Sequence, residues 1–266
     1  MLPQVTAVRF DKQLGSGRTK PCLFSCVGDD GTEVEVVAKF IAGCERGVGA
    51  MVAEALAAML ASDLDLPVPE PFVVLVDDEF AAAIPDPDVR ARAQKSLGPN
   101  FGSRRLPPGF STYPKAKQLP QELLTTGAEI LAFDTLIANP DRTVANPNLL
   151  INGVQLAIFD HELAMFFDGL IGWRAPWEPD AVRFPRGQHE SSRHIFLEEV
   201  RGKCPRLERL SGAIEALTDD RLAEYHDSLP ASWLGDGSAV NQVLGYITKL
   251  RANVDAALAN IEGALR

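Results

Sequence analysis

The chain changes character part-way along. Up to about residue 106 it reads as short strands around one helix, and from Gln121 onward it reads mostly as helices. A chain of 266 residues sits near the size at which a single apolar core stops growing, so two lobes are the expected solution. The predicted class is therefore α+β, with a mostly-β lobe over 1–106 and a larger mostly-α lobe over 107–266.

Within the first part, VTAVRFDK alternates in part and PCLFSCVGDDG is a short apolar run closed by a turn signal. TEVEVVAKFI alternates and is rich in valine, and GDDG before it reads as a hairpin connection. GVGAMVAEALAAMLASDL has strong helix propensity and stops at LPVPEP, where proline cannot continue a helix. FVVLVDDEF reads as a further strand, and the stretch after Phe80 stays unassigned. The segment 98–120, rich in Gly, Pro and Arg, reads as a linker. QELLTTGAEILAFDTLIA then has helical spacing, with Leu123, Gly127, Ile130, Leu131, Asp134 and Leu136 as its markers. NPDRTVANPN is a turn-rich loop, and LLINGVQLAIFD is a hairpin about Asn-Gly.

No stretch approaches the ~18 apolar residues of a membrane span. The first residues lack a basic segment followed by an apolar one, so a cytoplasmic location is expected. The net charge of −10 argues against broad nucleic-acid binding, although a local cluster of cations and N–H groups can still hold phosphate. Cys22, Cys26, Cys44 and Cys204 lack zinc-site spacing and read as reduced, packed thiols. His189 and His194 read as ordinary polar histidines.

Four places carry chemistry. The first is the turn Gly15-Ser16-Gly17 between two predicted strands, which either cradles a phosphate or simply turns the chain. The second is Lys39 at the end of an apolar strand. It is either a snorkelling surface residue or the partner of Glu54, the lone carboxylate in the run AMVAEALAAML. The third is Asp141 with Asn146 five positions on, in the loop after the long helix. The fourth is Asp160, which ends the apolar strand AIFD and alone could be a turn residue. Carboxylate and amide oxygens near a phosphate suit Mg²⁺.

In this order, with GSGRTKP, VVAKF, the Glu54 helix, GPNFGSRRLP, FDTLIANPDRTVANPNLLI and IFDHELA, the sequence resembles the HipA-like kinases. ANPDR and IFDHE are also similar to segments of phosphoinositide 4-kinases of the same superfamily. The resemblance implies a two-lobed protein-kinase-like fold and transfer of the ATP γ-phosphoryl group to a hydroxyl. It implies that Gly15, Ser16 and Gly17 cover the ATP phosphates. Lys39, held by Glu54, would contact them. Asp141 would be the catalytic-loop residue, and Asn146 and Asp160 would hold Mg²⁺. Phe101–Leu106 would meet adenine, and Ser16 would be a site of autophosphorylation. Asn148 competes with Asn146, which the D-x4-N spacing favours. Asn139 stands where protein kinases often carry histidine, and His161-Glu162 replaces Phe-Gly. A serine or threonine of a protein is the implied acceptor. A lipid headgroup or small molecule is the alternative, and a nucleotide-binding pseudokinase is a further one. The full-length toxins carry an additional N-terminal region for which this chain has no room, which puts regulation by an antitoxin-like partner in doubt and leaves that partner open.

Overall fold

The computed structural model describes residues 2–15, 19–114, 118–167, 172–185, 189–203 and 206–266. The expectations for Ser16, Gly17 and Cys204 fall outside them. The architecture is α+β, and the chain divides into two compact units that interleave in sequence. One comprises Met1–Met59, Pro69–Pro107 and Ala223–Val240; the other comprises Leu60–Val68, Pro108–Leu222 and Asn241–Arg266.

In the first unit, five strands close a barrel. They are β1 (Gln4–Gln13), β2 (Cys22–Gly28), β3 (Glu33–Lys39), β4 (Pro71–Val76) and β5 (Gly98–Arg104). Their order is β1-β2-β3-β5-β4, with β4 returning parallel to β1. The β2–β3 hairpin is tied by Gly31 N to Gly28 O at 2.9 Å, with Gly31 at φ +81°. The Asp30 carboxylate there accepts from the backbone N and hydroxyl of Thr32. The core includes Phe24, Phe40 and Phe80, with the Phe24–Phe80 centroids 5.0 Å apart. Cys22 and Cys26 lie on the same inward register as Phe24, and burial pushes their thiols up to about 11 and about 12.

The expected linker at 98–120 is a correction: its first seven residues are barrel strand β5. GPNFGSR lacks alternation because small residues fit where neighbours already fill the barrel. A Cβ on Gly102 would stand 2.4 Å from Val36 Cγ1 and 2.7 Å from Val74 Cγ2. The expectation of a single helix before residue 106 is corrected as well. After α1 (Val48–Asp63) come α2 (Asp78–Ala83) and α3 (Pro87–Gln94). Asp77 caps the first by accepting from Phe80 N, and Asp86 caps the second by accepting from Asp88 N and Val89 N. Thus DDEF, read as the end of a strand, starts a helix. These helices are too short, and too broken by Pro85 and Pro87, to show a period.

The second unit is organised about α4 (Leu124–Leu136), which is buried continuously from Gly127 to Asp134. A small sheet of β6 (Ser111–Thr112), β7 (Leu149–Asn152) and β8 (Gln155–Ile158) carries the expected Asn-Gly hairpin, with Gly153 at φ +60°. Glu129, buried within α4, is held by Arg209 through two contacts of 2.8 Å. The C-terminal part of the chain, some of which belongs to the first unit, is helical, as expected: α5 (Leu197–Val200), α6 (Glu208–Glu215), α7 (Asp219–Asp227), α8 (Ala231–Leu234), α9 (Ser238–Ala252) and α10 (Val254–Leu265). No helix among the described residues is long and apolar enough to cross a membrane.

Candidate active site

Lys39 is the last residue of β3, where strand alternation and the barrel wall leave its side chain little water. Its Nζ lies 2.5 Å from Glu54 Oε1, and their side chains are 10% and 2% exposed. The lone carboxylate of the apolar helix thus has its partner, and the snorkelling reading of Lys39 does not hold. Beside Gly15, Leu14 N donates to Pro21 O at 2.8 Å. Arg92 reaches Gln13 Oε1 at 2.5 Å and the carbonyls of Thr19 and Lys20 at 3.5 and 3.4 Å. A Cβ on Gly15 would meet nothing within 4 Å. The expected adenine segment Phe101–Leu106 begins inside β5, with Phe101 opposite Lys39.

The loop after α4 gathers the second group. Asn146 and Asn148 both donate their side-chain amides to Asp141 Oδ2, at 2.8 and 2.9 Å. Among the described residues, Oδ1 of Asp141 has no hydrogen-bond partner. Asn139 Oδ1 accepts from Asp141 N at 3.2 Å, so this asparagine staples the start of the loop. Thr143 closes the turn, its N donating to Asn146 O at 2.9 Å and its hydroxyl accepting from Asn146 N at 3.1 Å. Both asparagines are brought together, so spacing alone does not separate them. Asn146 is exposed, whereas Asn148 is buried with φ +44°.

Asp160 follows β8 with φ +61°, a left-handed conformation that non-glycine residues seldom adopt. The segments on either side of it are held by Arg142, a residue the sequence reading gave no role. Arg142 is 0% exposed. Its Nε donates to Asp134 Oδ2 at 2.6 Å and its Nη2 to Asp134 Oδ1 at 3.2 Å. Nη1 donates to Asn148 O and, at 3.1 Å, to Phe159 O; Nη2 also meets His161 Nε2 at 2.9 Å. Asp134 further accepts from Asn139 Nδ2 at 2.7 Å and His194 Nε2 at 3.0 Å. Burial alone would raise its carboxyl, but the Arg142 charge and the His194 bond outweigh that and hold it well below the usual carboxylate range. His194, expected as an ordinary polar histidine, is part of the buried polar network around Asp134. The signal that could have found Asp134 is the one that found Glu54: a carboxylate on the buried face of an apolar helix wants a partner.

The sequence matches the HipA-like kinase family over residues 7–169. The chain belongs to that family. Its fold is similar to that of a Helicobacter pylori proinflammatory kinase, CtkA, with a TM-score of 0.55 at 12% identity. The similarity covers 99% of this chain and 100% of that one. No curated protein matches the sequence. Within this HipA-like kinase, the residues expected to act from sequence thus form two groups, Lys39–Glu54 and Asp141–Asn146–Asn148, with Asp160 beside the arginine-held strand end.

Proposed function

We propose that this HipA-like kinase transfers the γ-phosphoryl group of ATP, with Mg²⁺, to a serine or threonine hydroxyl of another protein. The observation that carries the reading is Asp141. One of its carboxylate oxygens is fixed by two asparagine amides, and the other is left for an acceptor.

The donors fit Mg²⁺. Asn146 and Asn148 turn their nitrogens toward Asp141, which leaves the amide carbonyls as the atoms to face a cation. Asp160 adds a carboxylate, so every donor is a hard oxygen. Asn146 and Asp160 are our assigned ligands. When bound, the ion neutralises charge on the phosphate oxygens.

The chain's own residues do the rest. Lys39, held by Glu54, contacts the α- and β-phosphates, and the turn Gly15-Ser16-Gly17 covers the phosphates with backbone N–H groups. Asp141 Oδ1 accepts the acceptor hydroxyl's proton while the new O–P bond forms and the bond to the β-phosphate's bridging oxygen breaks, releasing ADP. Ser16 is the hydroxyl expected to take phosphate from the protein's own ATP, and that phosphate would oppose nucleotide binding by like charge.

The test is incubation with γ-labelled ATP and Mg²⁺ in a lysate, mapping label on proteins and on extracted lipids and metabolites. Wild-type protein should label proteins on serine or threonine. Asp141→Ala should keep ATP affinity within a few fold and lose about 10²-fold or more in turnover. Label confined to lipids or metabolites would reassign the acceptor. A wild-type protein that binds ATP and labels nothing is a nucleotide-binding module instead.

A further inference from the structure

We propose that Arg142 is a positioning residue that locks Asp141 and Asp160 into one arrangement, with Asp134 as its buried counter-charge. The inference rests on the phosphotransferase reading and adds residues to it.

A guanidinium has five N–H donors in a fixed plane. All five are used here, on groups from separate parts of the chain. Two go to Asp134 on α4. One goes to the carbonyl of Asn148, whose side chain bonds Asp141. One goes to the carbonyl of Phe159 and one to the ring of His161, the residues immediately before and after Asp160. Neutralising Asp134 would need only the first pair. The remaining three hold the two segments that carry Asp141 and Asp160.

The backbone argues the same way. Asp160 and Asn148 both sit at positive φ, +61° and +44°. Such conformations cost roughly 1–3 kcal/mol and persist where the surroundings over-determine them. Arg142 supplies that constraint at both places. It also follows Asp141 directly, and its own carbonyl accepts from Ile195 N at 3.1 Å.

The remainder of the unit keeps Arg142 in place. The guanidinium can only donate, so His161 Nε2 accepts and the ring proton lies on Nδ1. His194 accepts from Phe196 N through Nδ1 at 3.2 Å, so its proton lies on Nε2, facing Asp134. Lysine at 142 would keep the charge but carries its donors on a single nitrogen, and cannot grip Asp134 and both segments together.

The experiment uses the whole chain and Arg142→Lys. Three quantities are read: the melting temperature without ligand, the Mg²⁺ dependence of the ATP-induced melting shift, and KM for ATP against kcat. A positioning role predicts a folded variant whose Mg²⁺ requirement rises by about tenfold or more, the scale of a lost outer-shell partner. It also predicts kcat lowered by about 10–100-fold, with KM for ATP within a few fold. A purely structural arginine would move only the ligand-free melting temperature. A folded Arg142→Lys protein with wild-type Mg²⁺ dependence overturns the inference. Should that variant not fold, His161→Gln decides. It leaves the Asp134 pair intact, and it should still raise the Mg²⁺ requirement; unchanged dependence there overturns the inference equally. A wild-type protein with no Mg²⁺-dependent ATP shift defeats the phosphotransferase reading and this inference together. A wild-type shift that the variants leave untouched defeats this inference alone.

Discussion

Lys39 Nζ lies 2.5 Å from Oε1 of Glu54, with both side chains nearly out of water. Removing one member of such a pair takes from the other its counter-charge at 2.5 Å, so Glu54→Leu alone should lower unfolding free energy by about 3–5 kcal/mol. Replacing both with apolar residues removes both desolvation costs. The double variant Lys39→Met/Glu54→Leu should therefore recover most of that stability in urea unfolding. It should not recover ATP-dependent phosphotransfer, because the proposed contact of the Lys39 ammonium with the phosphates is then gone. A double variant that regains both would remove Lys39 from the nucleotide site.

Asn146 and Asn148 share Asp141 Oδ2 but differ in burial, and that difference separates them experimentally. Asn146→Ala is an exposed change and should alter stability by no more than about 0.5 kcal/mol. As the assigned cation ligand, it should raise the Mg²⁺ requirement of the ATP-induced melting shift. Asn148→Ala should cost about 1–3 kcal/mol, since a buried polar position with left-handed backbone is lost. The opposite assignment of the Mg²⁺ effect would make Asn148 the ligand.

Much of the fold was legible because its signals are local. The valine alternation of β3, the turn GDDG and the alanine-rich α1 each declare themselves within a few residues. Strand β5 does not, because its Gly102 is dictated by Val36 and Val74, which are distant in sequence. Asn100 in the same strand is buried for an equally distant reason: its Oδ1 accepts from Ile41 N at 2.9 Å. The site divides the same way. Asp141, Asn146 and Asp160 stand in a readable order, and Glu54 announces itself as a charge among apolar residues. Arg142 reads as one more loop arginine until the chain closes around it. His194 meets Asp134 across a separation of 60 residues.

Gly102 gives a sharp test of barrel packing. An added methyl would overlap Val36 Cγ1 and Val74 Cγ2 inside a closed wall, where both valines are fully buried. Gly102→Ala should lower the urea midpoint, by about 1–3 kcal/mol of stability with an unchanged slope. Adding Val74→Ala removes one of the two obstructing methyls and should return part of the loss. If Gly102→Ala unfolds at the wild-type midpoint, β5 does not run between these valines.

Asp134 links the buried network to acid stability. Burial would raise its carboxyl, but the Arg142 charge and the His194 bond hold it well below the usual carboxylate range. Unfolded, the group titrates near an ordinary value of about 3.9. A depressed folded value means that its ionised form contributes stability above the unfolded value. That contribution fades as pH falls below about 4 toward the folded value. Asp134→Asn cannot ionise and leaves Arg142 without its counter-charge, so at pH 7 it should be less stable by about 3–5 kcal/mol. The gap between wild type and variant should hold down to about pH 5 and then narrow with further acid, because only the wild type loses the ion pair by protonation. Urea unfolding of both proteins at pH 7, 5, 4 and 3 reads the gap directly, and other carboxylates cancel in the difference. A gap that stays constant to pH 3 would mean that the Asp134–Arg142 pair is not the acid-sensitive element. A gap that widens would mean that the carboxyl titrates above its unfolded value, in the direction burial alone would drive it.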